Sequence, residues 1–199
     1  MSTSRFILLA VPLGMVIALL WSWRVRDGWW RVVVRVALAV YLAVLVGLVF
    51  FPLPLTSSPG PSLGPAPGPV PWPAPWANLT PWATIGVALR LGPDWPEFWI
   101  LLGNVAAFVP LRVFIGLVRP AGRSWRRAFL ICLVATVAIE LVQLGVSLKL
   151  GYPYRVADID DVIVNVFGGL LGFAAFVVAN RVGRAILPAR FVFWAGHAP

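Results

Sequence analysis

Residues 155–179 read RVADIDDVIVNVFGGLLGFAAFVVA, a short polar opening followed by an apolar run of membrane-spanning length. A helix needs about 20 apolar residues to cross roughly 30 Å of hydrocarbon. Charged side chains crowd one end of this run, and an amide side chain, Asn165, lies inside it. The stretch therefore predicts a membrane helix that carries a polar group of residues at its start.

Four other apolar runs of similar length lie upstream, at residues 6–23, 32–51, 98–118 and 128–148. The chain of 199 residues is 60% hydrophobic and 12% charged, whereas soluble domains are about 25% charged. We therefore predict an all-α membrane protein, a bundle of about five transmembrane helices. Its predicted parts are two N-terminal helices (1–51), a Pro/Gly/Trp-rich extracytoplasmic linker (52–97), a three-helix polar core (98–180) and a basic cytoplasmic tail (181–199).

Arginines cluster in three places: between the first and second spans, between the third and fourth, and after the fifth. Cytoplasmic loops carry an excess of Lys and Arg, so the N-terminus is predicted to lie outside and the C-terminus inside. The same placement explains the net charge of +9, and we predict no nucleic-acid partner. The linker holds ten prolines from Pro52 to Pro75, which favours an extended tether.

Polar side chains inside membrane helices are costly and need protein or water partners. Glu140 and Gln143 stand three residues apart on the fourth span and share one helix face. Asp158, Asp161 and Asn165 lie one above another if the fifth helix begins near Asp158. With the N-terminus outside, seven polar residues fall in the outer half of the membrane. They are Asn104, Glu140, Gln143, Arg155, Asp158, Asp161 and Asn165.

Three glycines, Gly168, Gly169 and Gly172, continue along the last span below these polar residues. Glycines at such spacing let a neighbouring helix backbone approach closely. In the third span, Pro110 is expected to bend the helix and free a backbone carbonyl. Arg112 lies one to two turns from the cytoplasmic end of that span, from where its long side chain is expected to reach the interface.

Four local patterns follow one another along the chain. They are Asn78-Leu-Thr-Pro-Trp-Ala-Thr-Ile85, Asn104-Val-Ala-Ala-Phe-Val-Pro110, Glu140-Leu-Val-Gln143, and Arg155-x-x-Asp158-x-Asp160-Asp161-Val-Ile-x-Asn165 with Gly168-Gly169 behind. Together they resemble the VanZ-like family of integral membrane proteins over about residues 40–180. The chain departs from the family pattern at Trp82, often a phenylalanine, and at Leu111, often a glycine.

The resemblance implies a multi-pass protein of the bacterial cytoplasmic (plasma) membrane. It also implies a link to antibiotic resistance, since the family is named for a protein that lowers susceptibility to teicoplanin. Carried over position by position, the characteristic polar positions of the family are the same seven residues, from Asn104 to Asn165.

Three functional hypotheses stay open at this point. The first is an outer-leaflet pocket, formed by the seven polar residues, that binds a membrane lipid or a lipid-linked envelope precursor. The second is an intramembrane enzyme acting on a lipid-linked or cell-wall substrate, with Glu140, Asp158 and Asp161 as catalytic candidates. In the third, the polar network only fixes the packing of the last three spans. No cofactor or metal site is assigned, a divalent cation between Asp158 and Asp161 is left open, and so is the oligomeric state.

Overall fold

The computed structural model of the chain describes residues 2–25, 28–51, 76–118 and 124–186. Helices dominate these ranges, and two very short strands accompany them. The elements in chain order are α1 (Thr3–Arg24), α2 (Trp29–Phe50), β1 (Ala77–Asn78), α3 (Ala83–Leu91), a 3-10 helix (Gly92–Asp94), α4 (Pro96–Val118), α5 (Trp125–Leu150), β2 (Ala157–Asp158) and α6 (Ile159–Ile186).

Five helices in the described ranges are long and apolar enough to cross a membrane, namely α1, α2, α4, α5 and α6. They coincide with the five apolar runs of the sequence, extended by a few residues at their ends. The predicted all-α membrane bundle of about five spans is therefore confirmed. The sixth helix, α3, has nine residues and is too short to span.

Helix α6 lies between α4 and α5 and is the most buried of the five spans. A Cβ atom added at Gly168 or Gly172 would collide with the backbone carbonyl of Val105 or Val109 on α4. One added at Gly169 would collide with the Cys132 side chain on α5. The glycines therefore permit the close helix approach that their spacing predicts.

The N-terminal half of the bundle is joined to this three-helix core through α2. Helix α1 packs along α2, where the rings of Phe6 and Phe51 stack with their centroids 4.3 Å apart. Helix α2 in turn contacts α4, and the Tyr41 hydroxyl donates a hydrogen bond to the carbonyl of Ala107. The preceding carbonyl, that of Ala106, has no helical partner, because Pro110 lacks the N–H that would donate to it.

The structure corrects the expectation for Arg112. Its side chain is 0% exposed within the bundle, and its guanidinium lies 5.2 Å from the centre of the Phe173 ring on α6. It therefore packs between α4 and α6 instead of extending toward the end of its helix. A cation over an aromatic face gains an attraction that lipid tails do not offer.

The second half of the predicted linker is folded. Residues 52–75, which hold the proline-rich run, lie outside the described residues. From residue 77 onward the chain forms β1, α3 and the 3-10 helix. Strand β1 pairs in parallel with β2, with Ala77 opposite Ala157 and Asn78 opposite Asp158. The reason is long-range: this segment is folded by contacts with the residues that open α6.

The boundary of the predicted tail also moves. Helix α6 continues to Ile186, so residues 181–186 belong to the last helix. Residues 187–199, the remainder of the predicted tail, lie outside the described residues.

Candidate functional site

The carboxylate of Asp158 organises the short β1–β2 pair. Thr84 donates its hydroxyl to Oδ2 at 2.5 Å, and the Asn78 amide nitrogen lies 3.3 Å from the same oxygen. The backbone N–H of Asp160 donates to Oδ1 at 2.8 Å. Both oxygens of Asp158 are thus engaged, and the carboxylate ties the loop before α3 to the start of α6.

The neighbouring Asp160 is fully buried and caps the N-terminus of α3, although the two lie far apart in the sequence. Its Oδ1 accepts from the backbone N–H of Trp82 at 2.6 Å, and its Oδ2 accepts from the N–H of Ile85 at 3.0 Å. The first N–H groups of a helix have no partner within the helix, and a negative charge suits that end of the helix dipole. Trp82, just before α3, has a positive φ of 68°, so this contact also stabilises a backbone conformation that a tryptophan rarely adopts.

Glu140 and Asp161 are bonded differently, because each receives a single hydrogen bond from the described residues. Glu140 Oε2 accepts from the backbone N–H of Asp158 at 3.0 Å. Asp161 Oδ1 accepts from the amide nitrogen of Asn104 on α4 at 2.7 Å. Carboxylates have two oxygens and about four acceptor positions. Both groups therefore keep acceptor capacity that these residues do not use.

Arg155 is held at this end of the bundle by its backbone. The Ser147 hydroxyl donates to the Arg155 carbonyl at 3.0 Å and accepts from the Arg155 N–H at 3.3 Å. Three residues later, the backbone N–H of Asp158 reaches Glu140 on the same helix as Ser147. The Arg155 backbone therefore lies at the same end of the bundle as the two incompletely bonded carboxyl groups.

Asn165 lies one turn below Asp161 on α6, at the interface with α5. Its amide nitrogen donates to the Thr136 hydroxyl at 2.9 Å, and Thr136 lies one turn below Glu140. The side chain is 4% exposed, and its Oδ1 is buried with no hydrogen-bond partner among the described residues. A buried acceptor left without a donor costs about 1–3 kcal/mol, so this oxygen requires an explanation.

Gln143 is the one predicted site residue whose side chain bonds to α2. Its amide nitrogen donates to the Val49 carbonyl on α2 at 3.3 Å. Tyr154 makes a similar bond from its hydroxyl to the Phe50 carbonyl at 3.0 Å. These contacts fasten the end of α2 to the core. Among the other six, the structure joins Asn104 to Asp161 and Glu140 to Asp158, while Arg155 and Asn165 bond to Ser147 and Thr136 of α5. The functional role of all seven stays a prediction.

Five residues of this region were not among the predicted site residues. They are Asn78, Thr84, Thr136, Ser147 and Asp160. Three of them, Asn78, Thr84 and Asp160, stand in the local patterns that carry the family resemblance. Thr136 could have been found from the helical repeat, because it precedes Glu140 by one turn.

A metal ion has little support in this arrangement. In the four described ranges, no group of three or more His, Cys, Asp or Glu side chains is arranged to hold one. Of the two carboxylates considered for a divalent cation, Asp158 already binds three protein donors.

The fold and this cluster define a multi-pass α-helical membrane protein with a group of hydrogen-bonded polar residues at one end of its last three spans. The family model VanZ/LLP1 matches residues 38–180, most of the chain. The protein therefore belongs to the VanZ/LLP1 family, as the local patterns predict. Searches of curated proteins and of solved structures find no significant match.

Proposed function

We propose that this protein binds the polar head of an amphiphile, a membrane lipid or a lipid-linked cell-envelope precursor, in the outer half of the bacterial cytoplasmic membrane. The observation that carries the proposal is the incomplete bonding of Glu140 and Asp161, at the end of the bundle where the Arg155 backbone is fixed. A ligand that brings both a donor and an acid group would complete these bonds.

A contrast within the same cluster supports binding over a purely structural role. Asp158 and Asp160 use both carboxylate oxygens to fold β1 and α3 onto α6. Glu140 and Asp161 could have been bonded in the same manner, yet each meets one donor from the described residues. Ionisable groups near membrane helices are expensive when they are not compensated, so their unused capacity favours an external partner.

The surroundings of the cluster suit an amphiphile. Leu79 and Trp82, in the loop held by Asp158 and Asp160, are 75% and 64% exposed. Exposed apolar and indole side chains at the end of a membrane span suit the headgroup layer. A molecule with its tails in the lipid and its head at the cluster would meet both surfaces at once.

Nearby hydroxyl groups give no support to covalent catalysis. Thr84 donates to Asp158, Ser147 donates to the Arg155 carbonyl, and Thr136 accepts from Asn165. Each hydroxyl has a bonding role in the fold. Thr84 alone of the three donates to a carboxylate, and that carboxylate is already held by two other donors, Asn78 and the Asp160 N–H. We therefore propose that the activity is binding. Because the bound molecule is an envelope precursor, this binding changes the susceptibility to teicoplanin.

The test uses native mass spectrometry of the full chain purified with its membrane lipids. We expect a defined lipid or precursor to remain bound to the wild type and to be lost from Glu140→Gln and Asp161→Asn. Asp94→Asn, a change of an exposed carboxylate on the 3-10 helix, is the matched control and should retain it. Equal occupancy in all four proteins would contradict the proposal.

A further inference from the structure

We infer that the short helix α3 lies along the membrane surface, with its outward face against the acyl chains of the leaflet that α4 and α6 enter on that side. This inference does not depend on the proposed ligand. It adds an interaction surface whose partner is the lipid bilayer, and it follows from how α3 is held and from which of its faces is apolar.

Both ends of α3 are fixed where membrane spans begin. At its start, the N–H groups of Trp82 and Ile85 donate to Asp160 in the first turn of α6. At its end, Leu91 is followed directly by the 3-10 helix and then by Pro96, the first residue of α4. Because α4 and α6 are both long and apolar enough to cross a membrane, α3 lies at the level where the chain enters the lipid.

The inward face of α3 carries its polar bonds. Thr84 donates its hydroxyl to Asp158, and Ala88, one turn further along the same face, is 0% exposed. A helix on a water-exposed surface has the reverse arrangement, with its apolar residues inward and its polar residues outward. The surroundings of α3 are therefore not those of a helix in water.

The outward face of α3 is apolar. Trp82, Gly86 and Leu89 follow one another at spacings of four and three residues, on the side opposite Ala88. Leu89 is 64% exposed, as is Trp82. The one charged side chain of α3, Arg90, lies beside this stripe, and its Nε donates to the Gly86 carbonyl at 3.0 Å. A long basic side chain at such a position covers apolar surface with its stem and keeps its charge among the headgroups.

Lipid reaches this face from the neighbouring span. Helix α3 packs against α4, whose Trp99, Ile100 and Leu102 are exposed near its start. The Trp99 indole N–H donates to the Pro93 carbonyl of the 3-10 helix at 2.8 Å, so its ring carries no unmet donor into the interface. Since lipid covers the exposed apolar side chains of a span, the same lipid meets the outward face of α3. A helix that lies in the interface buries its apolar face about 5–10 Å into the boundary between headgroups and acyl chains.

The test attaches a nitroxide spin label to single cysteines of the full chain in a Cys132→Ala background, reconstituted in vesicles of palmitoyl-oleoyl phosphatidylglycerol. Collisions of the label with oxygen, which concentrates among acyl chains, are compared with collisions with a water-soluble nickel chelate. Labels at Leu89→Cys and Gly86→Cys should give an oxygen-to-nickel collision ratio several-fold above that of Asp94→Cys, an exposed position on the 3-10 helix. They should approach the ratio of Val134→Cys, an exposed position within the span α5.

The two labelled positions on α3 disturb its packing little, because Leu89 is exposed and a Cβ added at Gly86 meets nothing within 4 Å. A ratio close to that of Asp94→Cys at either position would place the outward face in water and overturn the inference. Few collisions with both reagents would show that protein covers the face, either a second copy or another segment of the chain, and would overturn it as well. The proposed headgroup binding is measured separately, by the mass of the lipid retained, and stands or falls without this result.

Discussion

Asn104 on α4 donates its amide N–H to Asp161 on α6 across 2.7 Å. Below this bond, α4 and α6 meet where Gly168 and Gly172 leave room for the carbonyls of Val105 and Val109. The orientation of the Asp161 carboxyl group therefore depends on how closely the two helices pack. The glycines act as positioning residues for the candidate site, although they lie outside it.

Replacement of Gly168 or Gly172 by alanine should destabilise the bundle. The added Cβ would meet a backbone carbonyl, which cannot move aside as a flexible side chain could. We expect a loss of about 2 kcal/mol in the free energy of unfolding for each change, in the range typical of overpacking. The measurement is thermal unfolding followed by a thiol-reactive dye, because Cys132 is buried and is the one cysteine of the chain.

Gly103→Ala and Gly145→Ala are matched controls for this prediction. A Cβ at either position meets nothing within 4 Å, and alanine is the better helix former. Both variants should unfold at or above the wild-type temperature. An equal loss of stability in all four variants would show that the close α4–α6 contact does not cause the loss.

Removal of the Asp160 carboxylate should release α3 from the core. In Asp160→Ala the N–H groups of Trp82 and Ile85 lose their acceptors. Hydrogen bonds to charged groups contribute about 1.5–3 kcal/mol each, so we expect a loss of about 3 kcal/mol. Amide hydrogen exchange of residues 83–91 should speed up, and by a larger factor than amide exchange in α5. Asp94→Ala serves as control, and unchanged exchange in α3 would contradict the capping role.

The five spans could be predicted from the sequence because length and apolarity alone define them. The close approach at the glycines could also be predicted, because their spacing on one helix leaves one face without side chains. Arg112 could not be placed in this way. Its distance from the helix end predicts that it reaches the interface, whereas its burial depends on Phe173 of another helix.

The site was predictable in part. The helical repeat brought Asp161 and Asn165 to one face, but it could not reveal that Gln143 turns to Val49 on α2. Asp160 was hidden for a different reason. Its partners, Trp82 and Ile85, lie 78 and 75 residues earlier in the chain. The two-residue strands that join these segments have no periodicity that a sequence reveals.

The orientation of the chain can be tested with single cysteines in a Cys132→Ala background. Thr80 follows β1 and Ser124 precedes α5, so the two positions lie on opposite sides of the single span α4. With the N-terminus outside, Thr80→Cys should react with a membrane-impermeant maleimide in intact cells. Ser124→Cys should react only after permeabilisation. The reverse pattern would place the candidate site on the cytoplasmic side and exclude an outer-leaflet ligand.

Teicoplanin susceptibility is the cellular readout of the proposed site. In a susceptible Gram-positive host we expect the wild-type chain to protect the cells, because binding of an envelope precursor changes the precursor that is available to the antibiotic. Glu140→Gln and Asp161→Asn keep the shape of each side chain and the oxygen that accepts the bond from Asp158 or Asn104, so both should fold yet protect at least fourfold less. Membrane protein level, measured on the same cells, is the deciding control, with Asp94→Asn as the matched variant. Protection that falls only in step with protein level would mean that the two carboxyl groups stabilise the bundle and bind nothing.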